Sequence, residues 1–220
     1  MARAVAAGVG GVIYLSGAVS TAMHNHPRPD VGFMLNPANG QRPNLALVRW
    51  AADNGRFALP EAWDAGDWLE WLADGERRRW RSTCLFVVAP DVVGDARATL
   101  ELSTPYLPTI RQLGYPAAFV TQDGCDATLV PWDAIDALFV GGTDDWKLSE
   151  PSYALCAEAK RRGLWVHMGR VNSLRRLTAC RVSLVDSADG TYVAFGPDRN
   201  LPRVYDWLDA LKAQTTLEVA

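Results

Sequence analysis

Cysteine is sparse and scattered in this chain. The four, Cys84, Cys125, Cys156 and Cys180, lie far apart, and none forms a Cys-x-x-Cys pair. That excludes a zinc-finger spacing and a dense disulfide framework. Three sit in apolar stretches, where a free thiol packs as a small hydrophobe, as suits a reducing cytoplasm. Histidine is rarer still, with three. His24 and His26 share a side in extended geometry but have no third ligand nearby, so they stay unassigned. No metal and no cofactor is expected. No apolar run is long enough to span a membrane. No Gly-x-Gly-x-x-Gly follows an expected strand, which argues against dinucleotide binding. Neither sign of charge dominates. At a net −3 there is no global pull on nucleic acid, and binding one would need a local patch.

What the chain does have is length for one full core: 220 residues predict a single domain over 1–220. Arg3 followed by Ala4–Val19 loosely resembles a signal peptide, but four glycines break the run. Val12–Leu15 reads instead as the first core strand. Gly32–Leu35, Cys84–Ala89, Ala117–Thr121, Ala137–Val140 and Leu164–Met168 are short apolar runs, as expected of strands buried on both faces. Asn44–Ala52 fits a helix or a buried strand. Between them, Pro60–Trp80, Asp95–Leu113 (interrupted near Pro105 and Pro108), Ser149–Arg162 and Leu201–Gln214 read as helices. Strands alternating with helices predict a parallel sheet, and no dinucleotide motif favours the open form. A compact TIM-type (β/α)8-like barrel follows.

The richest stretch is Trp165–Gly190. After Gly169 comes a helical segment with Leu174 and Leu177 at i, i+3. A second β-rich run, Val182–Val185, then delivers Asp186 at its carboxyl end. Chemistry collects at that end of a parallel strand. Two readings of Asp186 stand: a catalytic carboxylate, or a cap of the turn before Gly190. Asp53, in Asp53-Asn54-Gly55, has the same ambiguity. Arg77–Arg81 closes an expected helix, where basic residues suit the macrodipole. Their other reading is a phosphate-contacting patch built on Arg78 and Arg79, joined by Arg170, Arg175 and Arg176.

Six strand-end motifs, in order, resemble those of the tRNA-guanine transglycosylase superfamily, and most of all its DNA-modifying branch that inserts 7-deazaguanine bases. Ala52-Asp53-Asn54-Gly55 is similar to the family's Asp-Ser-Gly-Gly segment. Val88-Ala89-Pro90-Asp91 is similar to the strand whose Asp reads the purine. Val120-Thr121-Gln122-Asp123-Gly124 resembles Val-Gln-Gly-Gly, and Phe139-Val140-Gly141-Gly142 resembles Val-Gly-Gly. His167-Met168-Gly169 resembles Leu-Met-Gly. Leu184-Val185-Asp186-Ser187 resembles the strand that carries the nucleophilic Asp. The likeness spans most of Ala51–Asn200 at motif level. The chain departs from the pattern in having one Gly after Asn54, and in lacking the Cys-rich zinc segment: no Cys follows Asp186.

The resemblance implies a pentosyltransferase barrel without a zinc subdomain. Guanine in nucleic acid would be exchanged for a 7-deazaguanine such as preQ0 through a covalent Asp-glycosyl intermediate. Asp186 would be the nucleophile, and Asp53 would guide protons at the leaving and incoming bases. Asp91 would accept from the purine N1–H and 2-amino group, with Gln122 at the O6 side. Gly124, Gly141, Gly142 and Gly169 would allow close backbone approach, and Met168 would either pack on the base or fill the core. Without the zinc segment, DNA is favoured over tRNA as the polymer. Accessory DNA-modification proteins are then expected partners, and the cytoplasm the expected location. Two other classes remain open: a nucleoside or glycoside hydrolase using the same carboxylates with water, and a non-catalytic barrel that binds a nucleobase or nucleic acid.

Overall fold

The computed structural model describes residues 11–18, 23, 27–39, 43–57 and 60–219. Eight parallel strands close into a barrel in chain order. They are β1 (Ile13–Ser16), β2 (Val31–Leu35), β3 (Trp50–Ala52), β4 (Cys84–Val88), β5 (Ala117–Thr121), β6 (Ala137–Val140), β7 (Trp165–Met168) and β8 (Ser187–Gly190). The helices after β3 are α1 (Ala65–Ala73), α2 (Gly75–Arg79), α3 (Ala96–Ser103), α4 (Tyr106–Gln112), α5 (Asp144–Lys147), α6 (Glu150–Arg161), α7 (Leu174–Val182) and α8 (Pro197–Val219). The barrel expected from the alternation is the fold observed. Among the described residues, no helix is long and apolar enough to cross a membrane. His24 and His26 lie outside the described residues.

Strand residues alternate between two cores, as the pleat requires. Leu15, Met34, Ala51, Phe86, Val88, Ala118 and Val120 fill the lumen, with Phe139 against them. Tyr14, Phe33, Trp50, Val87, Phe119, Leu138 and Val166 point outward and pack with helix residues such as Trp68, Leu72, Ile110, Leu155, Leu177 and Val204. All four cysteines are free and buried.

Two local expectations fail for stated reasons. Pro60–Trp80 is not one helix. Asp74 adopts an extended backbone, ends α1, and caps α2 by accepting the Glu76 N–H. The run Val182–Val185 is not a strand. Val182 closes α7, Ser183 caps it, and Leu184 turns the chain at φ 58°. The strand starts later, at Ser187, and closes the barrel by pairing Ser187 with both Ile13 and His167.

That shift puts Asp186 before its strand, at the end of the barrel where strands begin. Two other aspartates hold equivalent places. Asp30 precedes β2 and pairs with Arg28 (2.8 Å) and Lys212 (2.7 Å). Arg28 also reaches Asp209 on α8 at 2.6 Å. Asp136 precedes β6, pairs with Arg111 (2.9 Å) and accepts the Ala117 N–H (2.8 Å). Asp186 accepts both Lys160 on α6 (2.7 Å) and the Val166 N–H (2.8 Å). Each carboxylate clamps a strand start to a neighbouring element.

The seam of β1 and β2 is tight. A Cβ on Gly32 would sit 2.3 Å from the Arg49 carbonyl oxygen and 2.9 Å from Leu15 Cδ2. Gly32→Ala is therefore expected to lower stability by about 1–3 kcal/mol, the usual cost of overpacking. An unchanged denaturation midpoint would contradict this packing.

Candidate active site

At the opposite end, where strands finish, a pocket opens over the lumen. Asp53 directly follows β3, Asp91 follows β4 after Ala89-Pro90, Gln122 follows β5, Gly141 follows β6 and Gly169 follows β7. Asp189 comes from within β8. These residues line one pocket with Gly142, Lys147, Arg170, Phe57, Val88, Val93, Val120 and Phe139. Asp53, Asp91 and Asp189 thus share a single concavity.

The carboxylates are held differently. Asp53 accepts the Gly55 N–H at 3.2 Å. Burial pushes its pKa up to about 6; Asp91 and Asp189 add repulsion, and the Gly55 N–H opposes the rise. Asp91 is bracketed by amides: Asn54 Nδ2 donates to one oxygen (3.0 Å) and Gln122 Nε2 to the other (2.7 Å). Burial raises its pKa too, against these two donors and the charge of Arg56. Gln122 Oε1 accepts the Gly94 N–H (3.0 Å), and Asn54 Nδ2 also reaches the Ala89 carbonyl (3.1 Å). Both amides are therefore fixed in orientation. Lys147 is buried, with Nζ on the Gly169 carbonyl and on Asp144, both at 3.1 Å. Asp189 Oδ1 lies 3.0 Å from His167 Nε2.

Glycine has a steric reason at two rim positions. A Cβ on Gly141 would meet Val120 Cγ1 at 2.6 Å, and Gly142 has φ +77° with Asp123 Oδ2 at 2.6 Å from its would-be Cβ. At both positions the missing side chain makes room for neighbouring protein atoms.

Of the residues expected from sequence, the pocket brings together Asp53, Asp91, Gln122, Gly141, Gly142, Gly169 and Arg170. It does not include Asp186, which sits in its ion pair at the far end. Met168 is also a correction. It faces outward into the helix layer, with Cys180 Sγ 3.6 Å from its sulfur, and fills the core. Gly124 turns the chain after β5 at φ +76° and lies outside the pocket lining. Arg78 and Arg79 end α2, which leads into the start of β4, away from the mouth. Arg79 lies over Trp80. Arg175 is exposed in the first turn of α7, after β7, on the mouth side. Arg176 bonds Asp144 and the Arg170 carbonyl. Arg170 itself is exposed, with its guanidinium 4.1 Å over the Phe57 ring.

Sequence reasoning missed Asp189, Asn54, Lys147 and the role of His167. Ser187-Ala188-Asp189-Gly190 has poor strand propensity, so its pairing was invisible. The one usable signal was a second Asp three residues beyond Asp186. Among the described residues, no group of three or more His, Cys, Asp or Glu could hold a metal.

No family model matches the chain, and no curated protein does. Several solved structures are partly similar to it. L-talarate dehydratase from Polaromonas sp. JS666, complexed with Mg and L-glucarate, has 13% identity and a TM-score of 0.46, over 84% of this chain and 54% of that one. The tryptophan synthase complex of Pyrococcus furiosus has 11% identity and a TM-score of 0.46, over 84% and 87%. Bacillus subtilis YkuI, an EAL-domain protein in complex with c-di-GMP and calcium, has 15% identity and a TM-score of 0.40, over 76% and 38%. The chain spans about half the length of the first and less of the third. At these identities and TM-scores the likeness carries no function to this chain, and the barrel stands on its own strand pairing.

Two substitutions separate the barrel's ends. Asp186→Asn is expected to cost on the order of 1–3 kcal/mol of stability by weakening a charged hydrogen-bonded pair, with ligand binding in the pocket unchanged. Altered binding with unchanged stability would contradict that. Asp53→Asn should act in reverse. A carboxyl at about 6 when folded and near its ordinary value when unfolded binds more protons in the folded state between those pH values. Stability then falls as pH rises through that window. The variant should be more stable at pH 7, by about 3 kcal/mol, and equal to wild type below about pH 3. Thermal melts that stay parallel across that range would refute the raised pKa.

Proposed function

We propose that the chain is a base-exchange transglycosylase that replaces guanine in nucleic acid, DNA in preference to tRNA, with a 7-deazaguanine such as preQ0. The observation that carries this reading is the meeting of Asp53, Asp91 and Asp189 in one pocket at the strand ends. The nucleophile is Asp189 rather than Asp186, because only Asp189 reaches the pocket.

The chemistry needs an anion under C1′, a group that moves a proton at the base, and a reader of the purine edge. Asp189 attacks C1′ as the C1′–N9 bond breaks, and the electron pair leaves with guanine. Asp53, with its pKa at about 6, is suited to give that nitrogen a proton and to take one back from the incoming base near neutral pH. The second base then attacks C1′ and releases the Asp189 carboxylate, so two inversions return the starting configuration. Asp91 accepts from the purine N1–H and 2-amino group; Asn54 and Gln122 hold it in place rather than meeting O6 themselves. A base in a duplex is out of reach, so the target nucleotide is flipped out or single-stranded. Arg170 and Arg175 are the mouth-side groups suited to flanking phosphates.

The test is incorporation of a labelled guanine or 7-deazaguanine, with DNA and tRNA compared as acceptors. Exchange into DNA is expected. Asp189→Asn should lower kcat by at least about 10³-fold, because an amide is no nucleophile, while Asp186→Asn keeps near-wild-type turnover. Base release that needs no second base would replace exchange by hydrolysis. Incorporation into tRNA alone would overturn the choice of DNA.

A further inference from the structure

The register of β7 against β8 pairs His167 with Ser187, and side chains two apart share a face. Trp165, His167, Ser187 and Asp189 therefore form one string along the lumen. Trp165 Nε1 donates to Ser187 Oγ at 2.8 Å. An indole nitrogen can only donate, so the serine oxygen accepts there and its own proton is free to go to His167 Nδ1, 2.8 Å away. A carboxylate oxygen can only accept, so Nε2 is the ring nitrogen that carries a hydrogen toward Asp189 Oδ1 at 3.0 Å, and in the neutral ring Nδ1 is then the acceptor of the serine proton. The ring is fully buried and wedged between Phe86 and Phe139, with ring centroids 4.9 and 4.6 Å away. It has little room to turn.

We propose that His167 is a positioning residue for Asp189, set in one tautomer by Trp165 and Ser187. The proposal deepens the transglycosylase reading and rests on it for its kinetic consequence. The imidazole holds Oδ1 and leaves Oδ2 to bond C1′. It transfers no proton: Oδ2–C1′ forms as C1′–N9 breaks, the leaving base is protonated by Asp53, and the carboxylate is restored when the second base attacks. The Nε2–H stays on Oδ1 throughout, fixing the attacking oxygen in the first half and supporting the departing carboxylate in the second. A donor already fixed on the carboxylate costs no reorganisation during reaction.

The experiment uses the full chain and two variants. His167→Leu keeps the bulk without the donor, whereas His167→Gln returns an N–H at similar reach. His167→Leu should lower kcat about 100-fold with KM within about threefold, as expected when a reacting atom is loosened rather than removed. His167→Gln should recover to within about tenfold of wild type. A wild-type kcat in His167→Leu would overturn the proposal, as would equal losses in both variants with unshifted melting transitions. Nitrogen-15 NMR of the wild-type imidazoles needs no substrate. With three histidines in the chain, one slowly exchanging Nε2–H beside an unprotonated Nδ1 is expected, and it should shift in Asp189→Ala. The opposite tautomer overturns the proposal whether or not the variants fold. If wild-type protein exchanges no base yet shows this signature, the transglycosylase reading fails and the His167–Asp189 bond stands.

Discussion

All eight strands run the same way, so the end of the strand on which a carboxylate sits decides what it can do. Asp30, Asp136 and Asp186 precede their strands and are consumed by Arg28, Arg111 and Lys160. Asp53 and Asp91 follow theirs and, with Asp189, face one pocket. The division follows from closure. Arg111 and Lys160 sit in the last turns of α4 and α6, whose C-termini lie near strand starts, and Arg28 comes from the segment just before β2. A parallel barrel collects loops at strand ends, where an aspartate finds other loops. One end becomes the clamp and the other is left for chemistry.

Grouping three carboxylates works against the fold. Burial and mutual repulsion push the Asp53 pKa up to about 6, which makes the ionised pocket a source of instability at neutral pH. Local donors offset part of this. Asn54 and Gln122 brace Asp91, His167 braces Asp189, and the Lys147 ammonium sits on the Gly169 carbonyl at the pocket wall. The lumen beneath is apolar except for the string from Trp165 to Asp189, and every internal link of that string is hydrogen-bonded. A buried polar string that is fully satisfied specifies one arrangement; a partly satisfied one would loosen it.

Much of the fold was legible in the sequence because β4, β5 and β6 are continuous apolar runs bounded by turn signals. The pocket loops were legible for the same reason: a residue just after such a run must lie at the mouth. The last strand was not. Ser187-Ala188-Asp189-Gly190 becomes a strand through pairing with β1 and β7 on both sides, a tertiary cause that local propensity does not carry. The preceding Val182–Val185 is the more strand-like run by sequence, which points to Asp186, three residues short of the pocket and at the wrong end. Met168 was misplaced by the pleat: it neighbours Gly169 in sequence but points to the opposite side of the sheet. His167, one residue earlier, is the one that faces the lumen.

The most direct measurement is peptide mapping of a covalent adduct. The protein is incubated with a guanine-containing oligodeoxynucleotide, quenched with denaturant and digested, and the modified residue is identified by mass spectrometry. A glycosyl ester on Asp189, absent in Asp189→Asn and retained in Asp186→Asn, is the predicted result. An adduct on Asp186, or one that survives Asp189→Asn, would contradict the assignment of the strand-end carboxylate as nucleophile.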